Sequence, residues 1–198
     1  MGSALVRVSC IGDSITAGFG LEDWDESYPN QLYYILGDRY VVNPNLGKSG
    51  AAVWRHSLLP YNSTKEYREA IEWCTDALVI CLGANDTVYQ INDSFCQEFK
   101  DDYIALIRNL KSKMIDSKVF VCKVLPMFGK ENARFAASVP IINELIVSVA
   151  QACGATLVDL NTPFASKAGL FSDGLHPNEE GARIIAETVS TVLKQEFK

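Results

Sequence analysis

Short apolar runs alternate along this chain with longer segments whose apolar positions recur at spacings of three and four. The runs cover roughly 5–11, 40–44, 77–82, 118–124 and 155–159. Between them, 28–37, 64–73, 93–113, 136–153 and 178–196 carry helical periodicity, as in Phe95, Phe99, Tyr103, Leu106 and Leu110. Such alternation predicts an α/β protein in which five parallel strands are joined by crossover helices. Asp93-Ser94 and Asn178-Glu179-Glu180 supply cap residues and first-turn acids, which favour the positive end of a helix dipole and mark two of the helix starts.

No internal repeat, low-complexity stretch or Pro/Gly/Ser-rich linker divides the 198 residues, so a single domain over 1–198 is expected. Hydrophobic content of 48% and charged content of 21% are those of an ordinary globular protein. A net charge of -6 with no basic run gives no attraction for nucleic acid. No apolar stretch approaches the roughly 20 residues a bilayer span needs. Met1-Gly2-Ser3 leaves open a cloning scar or a removed signal peptide. The six cysteines, Cys10, Cys74, Cys81, Cys96, Cys122 and Cys153, form no C-x-x-C pair or His/Cys cluster for a metal. They read as buried free thiols and favour a reducing, cytoplasmic compartment, with secretion open if a leader was removed.

Open parallel sheets bind ligands at the carboxyl ends of their strands, so the strand-to-helix loops carry the chemistry. Four are unusual: Gly12-Asp13-Ser14, Gly47-Lys48-Ser49-Gly50, Gly83-Ala84-Asn85-Asp86 and Asp173-Gly174-Leu175-His176. In a parallel sheet the first three share one edge, and the fourth reaches it if it follows the fifth strand. Phosphate binding fails on spacing. The residue five before Gly47 is Val42 rather than the glycine of a Walker A loop, and Gly12-x-Ser14-x-x-Ala17 has one glycine of the three a dinucleotide fingerprint requires.

Nucleophilic catalysis fits better. A serine hydroxyl needs a base with a pKa near operating pH, which points to histidine, and the chain has two, His56 and His176. Asp173 stands three residues before His176, where its carboxylate can orient the ring toward Ser14, so Ser14, His176 and Asp173 make a candidate triad. Asp-x-x-His on its own equally describes a helix cap and a surface histidine. Ester chemistry also requires donors for a developing oxyanion; the amides of Ser14 and Gly50 and the side chain of Asn85 are candidates. Gly50 and Asn85 are also ordinary turn formers.

Taken in order, Gly12-Asp13-Ser14, Ser49-Gly50, Gly83-x-Asn85-Asp86 and Asp173-x-x-His176-Pro177 resemble the four blocks of the SGNH hydrolases, the GDSL esterase/lipase family. The resemblance implies a three-layer α/β/α, flavodoxin-like fold and a serine hydrolase that uses no cofactor and no metal. It implies Ser14 as nucleophile, His176 as base and then acid, Asp173 as its partner, and Ser14, Gly50 and Asn85 as the oxyanion hole. Ile15 stands where the family often has Leu. This variant, with Tyr28-Pro29 following, is similar to the branch containing sialate and xylan O-acetylesterases. A short-acyl esterase acting on carbohydrate O-acetyl groups is therefore expected, with a long-chain lysophospholipase or thioesterase as the alternative. A catalytically silent carbohydrate-binding module on this fold would lack a triad member.

Thr16 stands where the second glycine of a G-x-S-x-G elbow belongs, so Ser14 is expected on a looser loop. Asp13 either fixes that loop by hydrogen bonds or acts as a cap. His56 reads as a solvated or cleft-rim residue. Trp24, Trp54 and Trp73 could stack on a sugar but more readily pack, and Lys48, Arg55 and Arg134 could meet an acidic substrate or simply sit in water. Leu125, Pro126, Met127 and Phe171 are candidates for an acyl pocket or for core packing.

Overall fold

A computed structural model describes residues 4–73 and 75–198; Met1-Gly2-Ser3 and Cys74 lie outside the described residues. In chain order the strands and α-helices are β1 (Val6–Gly12), α1 (Ser14–Ala17), α2 (Tyr28–Leu36), β2 (Tyr40–Gly47), α3 (Lys65–Glu72), β3 (Ala77–Cys81), α4 (Asp93–Lys113), β4 (Lys118–Cys122), α5 (Ala133–Ala136), α6 (Val139–Cys153), β5 (Thr156–Val158) and α7 (Glu179–Glu196). The five strands form one parallel sheet in the order β2-β1-β3-β4-β5.

Side-chain alternation along the strands divides the core in two. Ile11, Leu78, Ile80, Val119 and Val121 face one way and meet Tyr67 of α3, Phe99 and Tyr103 of α4, and Ile142 and Ile146 of α6. Val8, Cys10, Val79, Phe120 and Cys122 face the other way and meet Leu32 and Leu36 of α2 and Ile185 and Val189 of α7. Burying both faces explains why the inner strands β3 and β4 are near-continuous apolar runs rather than alternating ones. Each large apolar side chain so buried contributes about 1.5–3 kcal/mol. The result is the expected three-layer α/β/α architecture.

Local chemistry accounts for the departures from the sequence pattern. Of the periodic segment 136–153, α6 takes 139–153 while Ala136 only closes α5, because Pro140 lacks an N–H and suits only the first turn of a helix. Asn92 rather than Asp93-Ser94 caps α4, its Oδ1 accepting from the Phe95 amide at 2.9 Å, with Asp93 in the first turn. Asn178 caps α7 as anticipated, accepting from the Gly181 amide at 3.0 Å. Pro44 sits in β2, which is an edge strand and tolerates the missing donor. Cys10, Cys81 and Cys122 are buried unpaired thiols of the sheet, while Cys96 and Cys153 are free and half-buried. Among the described residues, no helix is long and apolar enough to cross a membrane.

From β1 the chain passes outward to β2, then returns to pair β3 on the opposite side of β1. Strand order therefore reverses between β1 and β3, which opens a crevice at their carboxyl ends. The loops bearing Ser14 and Asn85 leave the sheet there.

Candidate active site

Gly12 ends β1, paired with Gly47 on one side and Cys81 on the other. A Cβ at Gly12 would lie 2.0 Å from Thr16 Oγ1 and 2.6 Å from the Cys81 carbonyl, so only glycine allows the turn that follows. Asp13 then caps α1, its Oδ1 accepting from the Ile15 amide at 3.0 Å. Ser14 is thus the first residue of a capped helical turn. The looser loop expected from Thr16 is not what forms: the Asp13 cap, the bond from Asn45 Nδ2 to the Thr16 carbonyl at 2.9 Å and the left-handed Gly18 that ends α1 fix the turn without a glycine at position 16. Asp13 is buried, and burial pushes its carboxyl up to about 7; the Ile15 amide counteracts this and the neighbouring Asp86 adds to it.

The fourth loop reaches this turn from beyond β5. Asp173 Oδ1 accepts from the amides of Leu175 at 2.9 Å and His176 at 2.7 Å, which closes the loop on itself. Its Oδ2 lies 2.6 Å from His176 Nδ1, and His176 Nε2 lies 2.9 Å from Ser14 Oγ. Burial raises the Asp173 carboxyl, but bonds from the His176 ring and from the His176 and Leu175 amides outweigh it and hold the group at about 2. An ionised carboxylate only accepts, so Nδ1 carries the ring proton and Nε2 is left to accept from the serine hydroxyl. The Phe19 ring packs against the imidazole with centroids 4.7 Å apart. Behind the loop, the Phe128 amide donates to the Gly174 carbonyl at 2.8 Å, and Asn132 Nδ2 donates to the Asp173 carbonyl at 2.9 Å.

The remaining candidates are joined to each other. Asn85 opens a 3-10 turn after β3 and donates through Nδ2 to the Ala51 carbonyl at 2.9 Å. Gly50 holds φ at +81°, a left-handed conformation that favours glycine. The Lys48 amide donates to the Gly12 carbonyl at 2.8 Å, tying the Gly50 loop to the Ser14 turn. Among the described residues, the amides of Ser14 and Gly50 donate to no protein acceptor, and Asn85 retains a second amide hydrogen. Unspent donors suit an oxyanion site.

Several residues raised by the sequence take other places. His56 is exposed, accepts from Arg55 Nε at 3.3 Å and lies 4.0 Å from Glu98 Oε2, with its ring against Trp54. Trp54 donates to Glu98 Oε2 at 2.9 Å, whereas Trp24 and Trp73 are exposed. Lys48 pairs with Glu66 and Arg55 with Asp102, at 3.4 and 3.5 Å. Leu125, Met127 and Phe171 are buried core residues.

Four neighbours of the site have roles that the sequence does not reveal: Asn45, Asn132, Phe19 and Asp86. Asn45 and Asn132 act through side-chain bonds to distant backbone, a feature without a local pattern. Phe19 carried no signal beyond standing five residues after Ser14. Asp86 was visible as the neighbour of Asn85 in the third block.

A parallel sheet between two helical layers, carrying this group at its carboxyl edge, defines the class: the three-layer α/β/α fold of the SGNH type. The chain belongs to the GDSL-like Lipase/Acylhydrolase family, whose pattern matches residues 10–184. It is 31% identical, over 96% of its length, to an acetylxylan esterase of Xylanibacter ruminicola, and spans 43% of that protein. Its fold is similar to a carbohydrate acetylesterase from Sinorhizobium meliloti, with a TM-score of 0.75 and 17% identity over 97% of this chain and 100% of that one. A family two carbohydrate esterase from Clostridium thermocellum, solved with cellohexaose, has a TM-score of 0.73 and 18% identity over 99% of this chain and 66% of that one.

Proposed function

We propose that this chain is a serine esterase that removes O-acetyl groups from carbohydrates. The observation that carries the reading is the continuous line from Asp173 through His176 to Ser14, with bonds of 2.6 and 2.9 Å. Ser14 Oγ attacks the ester carbonyl as His176 Nε2 takes its proton, and the resulting oxyanion is met by the Ser14 and Gly50 amides and Asn85 Nδ2. His176 returns the proton to the leaving sugar hydroxyl, which departs as the acetyl group becomes bound to Ser14. Water, deprotonated by His176, then attacks that acyl group; acetate leaves and the Ser14 hydroxyl is restored. Asp173 stays ionised throughout and stabilises the imidazolium.

The names of the Xylanibacter and Sinorhizobium relatives support acetyl and carbohydrate as the two halves of the substrate. The test is a rate series over p-nitrophenyl acetate, butyrate, octanoate and palmitate, run beside acetate release from acetylated xylan and from an O-acetylated sialic acid. A steep fall after acetate, with acetate released from at least one glycan, is expected. A rate maximum at octanoate or beyond would favour the long-chain alternative and overturn the reading.

A further inference from the structure

We propose that Asp86 is a positioning residue for the oxyanion hole: its carboxylate holds the loop that carries Gly50 against the turn that carries Asn85. The inference rests on the esterase reading above. Asp86 is fully buried, and its two oxygens accept separately from the Val53 amide at 3.0 Å and the Trp54 amide at 2.9 Å. It also belongs to the 3-10 turn, its own amide donating to the Gly83 carbonyl at 3.2 Å. Asn85, one residue earlier, grips the same loop through the Ala51 carbonyl. The Gly50 loop is therefore fixed at its start by the bond from Lys48 to Gly12 and at its end by Asp86, with Asn85 between.

The chemistry of Asp86 is costly for a residue that merely fills space. Among the described residues no cation pairs with it; Arg55, the nearest basic residue in sequence to its partners, is engaged with Asp102. The neighbouring Asp102 carboxylate disfavours its charge further, and Asp86 in turn disfavours the charge of Asp13. Burial pushes its carboxyl up to about 6, against the pull of the two loop amides. A carboxylate meets two separate amides with two acceptor oxygens, whereas an asparagine presents one acceptor and one donor, leaving an N–H facing an NH₂. A donor displaced by a fraction of an ångström loses much of its value to a transition state, while ground-state binding is little changed.

The test is a double-mutant cycle of Asp86→Asn with Asn85→Ala, measured on p-nitrophenyl acetate with Ser14→Ala beside it. Loss of activity in S14A establishes the esterase reading on its own; wild-type activity in S14A would sink that reading, and this proposal with it. In the wild-type background D86N is expected to lower kcat by about 10- to 100-fold with KM within about twofold. In the N85A background the same change is expected to cost at least about fivefold less, because one of the donors it positions is gone. An equal loss in both backgrounds, a loss confined to KM, or an unchanged kcat overturns the proposal. If D86N does not fold, Asp86→Glu, which keeps both acceptors, is put through the same cycle; if neither folds, Asp86 is a residue of the fold and the proposal fails.

Discussion

His176 Nε2 lies 2.9 Å from Ser14 Oγ although 162 positions separate them in sequence. The contact joins the end of β1 to a loop beyond β5, and each side is held by local bonds of its own: the Asp13 cap on one and the Asp173 turn on the other. Replacing Ser14 or His176 by alanine is expected to lower kcat by roughly 10³ to 10⁶, with the melting temperature little changed. The S14A/H176A double variant should be no slower than the worse single one, since the two residues act as a unit. Steady-state rates beside thermal melts check this; additive losses would show that the two serve separate steps.

Asp173 defines the tautomer as well as the orientation of His176. Asp173→Asn keeps a hydrogen bond to Nδ1 but permits the amide to donate, so that the ring proton moves to Nε2 and the serine hydroxyl loses its acceptor. A fall in kcat of about 10²- to 10⁴-fold is expected, smaller than for H176A. The ring-nitrogen signals of the two proteins in ¹⁵N NMR would report the tautomer directly. Unchanged signals with unchanged rates would remove Asp173 from the mechanism.

The sheet was legible because both faces of it are buried. A strand covered on two sides has to be apolar at every position, and ALVIC of β3, buried throughout, shows as an uninterrupted run. The meeting of Ser14, Asp173 and His176 was legible because parallel strands deliver their loops to one edge and the two histidines left few choices of base. What joins these loops was not legible. Asn45, Asn132 and Asp86 bond to backbone 29, 41 and 32 to 33 positions away, and their partners carry no sequence mark, since any residue has an N–H and a C=O. The capped turn at Ser14 is hidden in the sequence for the same kind of reason: Thr16 excludes one turn type, but the Asp13 side chain supplies another.

Gly12 and Gly50 separate two reasons for a glycine. At Gly12 an added Cβ would meet Thr16 and the Cys81 backbone at 2.0 and 2.6 Å, so Gly12→Ala has to displace the nucleophile turn. At Gly50 the nearest atom is 4.0 Å away and the cost is the left-handed backbone alone. Gly50→Ala is expected to lower stability by about 1–2 kcal/mol, and Gly12→Ala by more than about 3 kcal/mol or to prevent folding. Denaturant unfolding of the two variants tests the order; G50A as damaging as G12A would place an unseen obstacle at Gly50.

Asp13 gives a pH dependence of definite sign. Burial first, with Asp86 adding to it, raises its carboxyl from the ordinary 3.8 to about 7 in the folded protein. Between those values the folded state keeps a proton that the unfolded chain has lost. Stability contributed by this group therefore falls as pH rises through the window, with a slope of at most about 1.4 kcal/mol per pH unit. Asp173 has the opposite sign, but its folded value of about 2 puts its effect below pH 4, outside the window. Asp86, raised to about 6, has the same sign as Asp13 and is present in both proteins being compared. Asp13→Asn keeps an acceptor for the Ile15 amide and cannot ionise. Relative to the wild type it is expected to gain up to about 3 kcal/mol between pH 4.5 and pH 7 in urea unfolding. Parallel stability curves for the two proteins would mean that the folded state already holds Asp13 as a carboxylate at pH 4.5, with the capped Ile15 amide offsetting the burial of its charge.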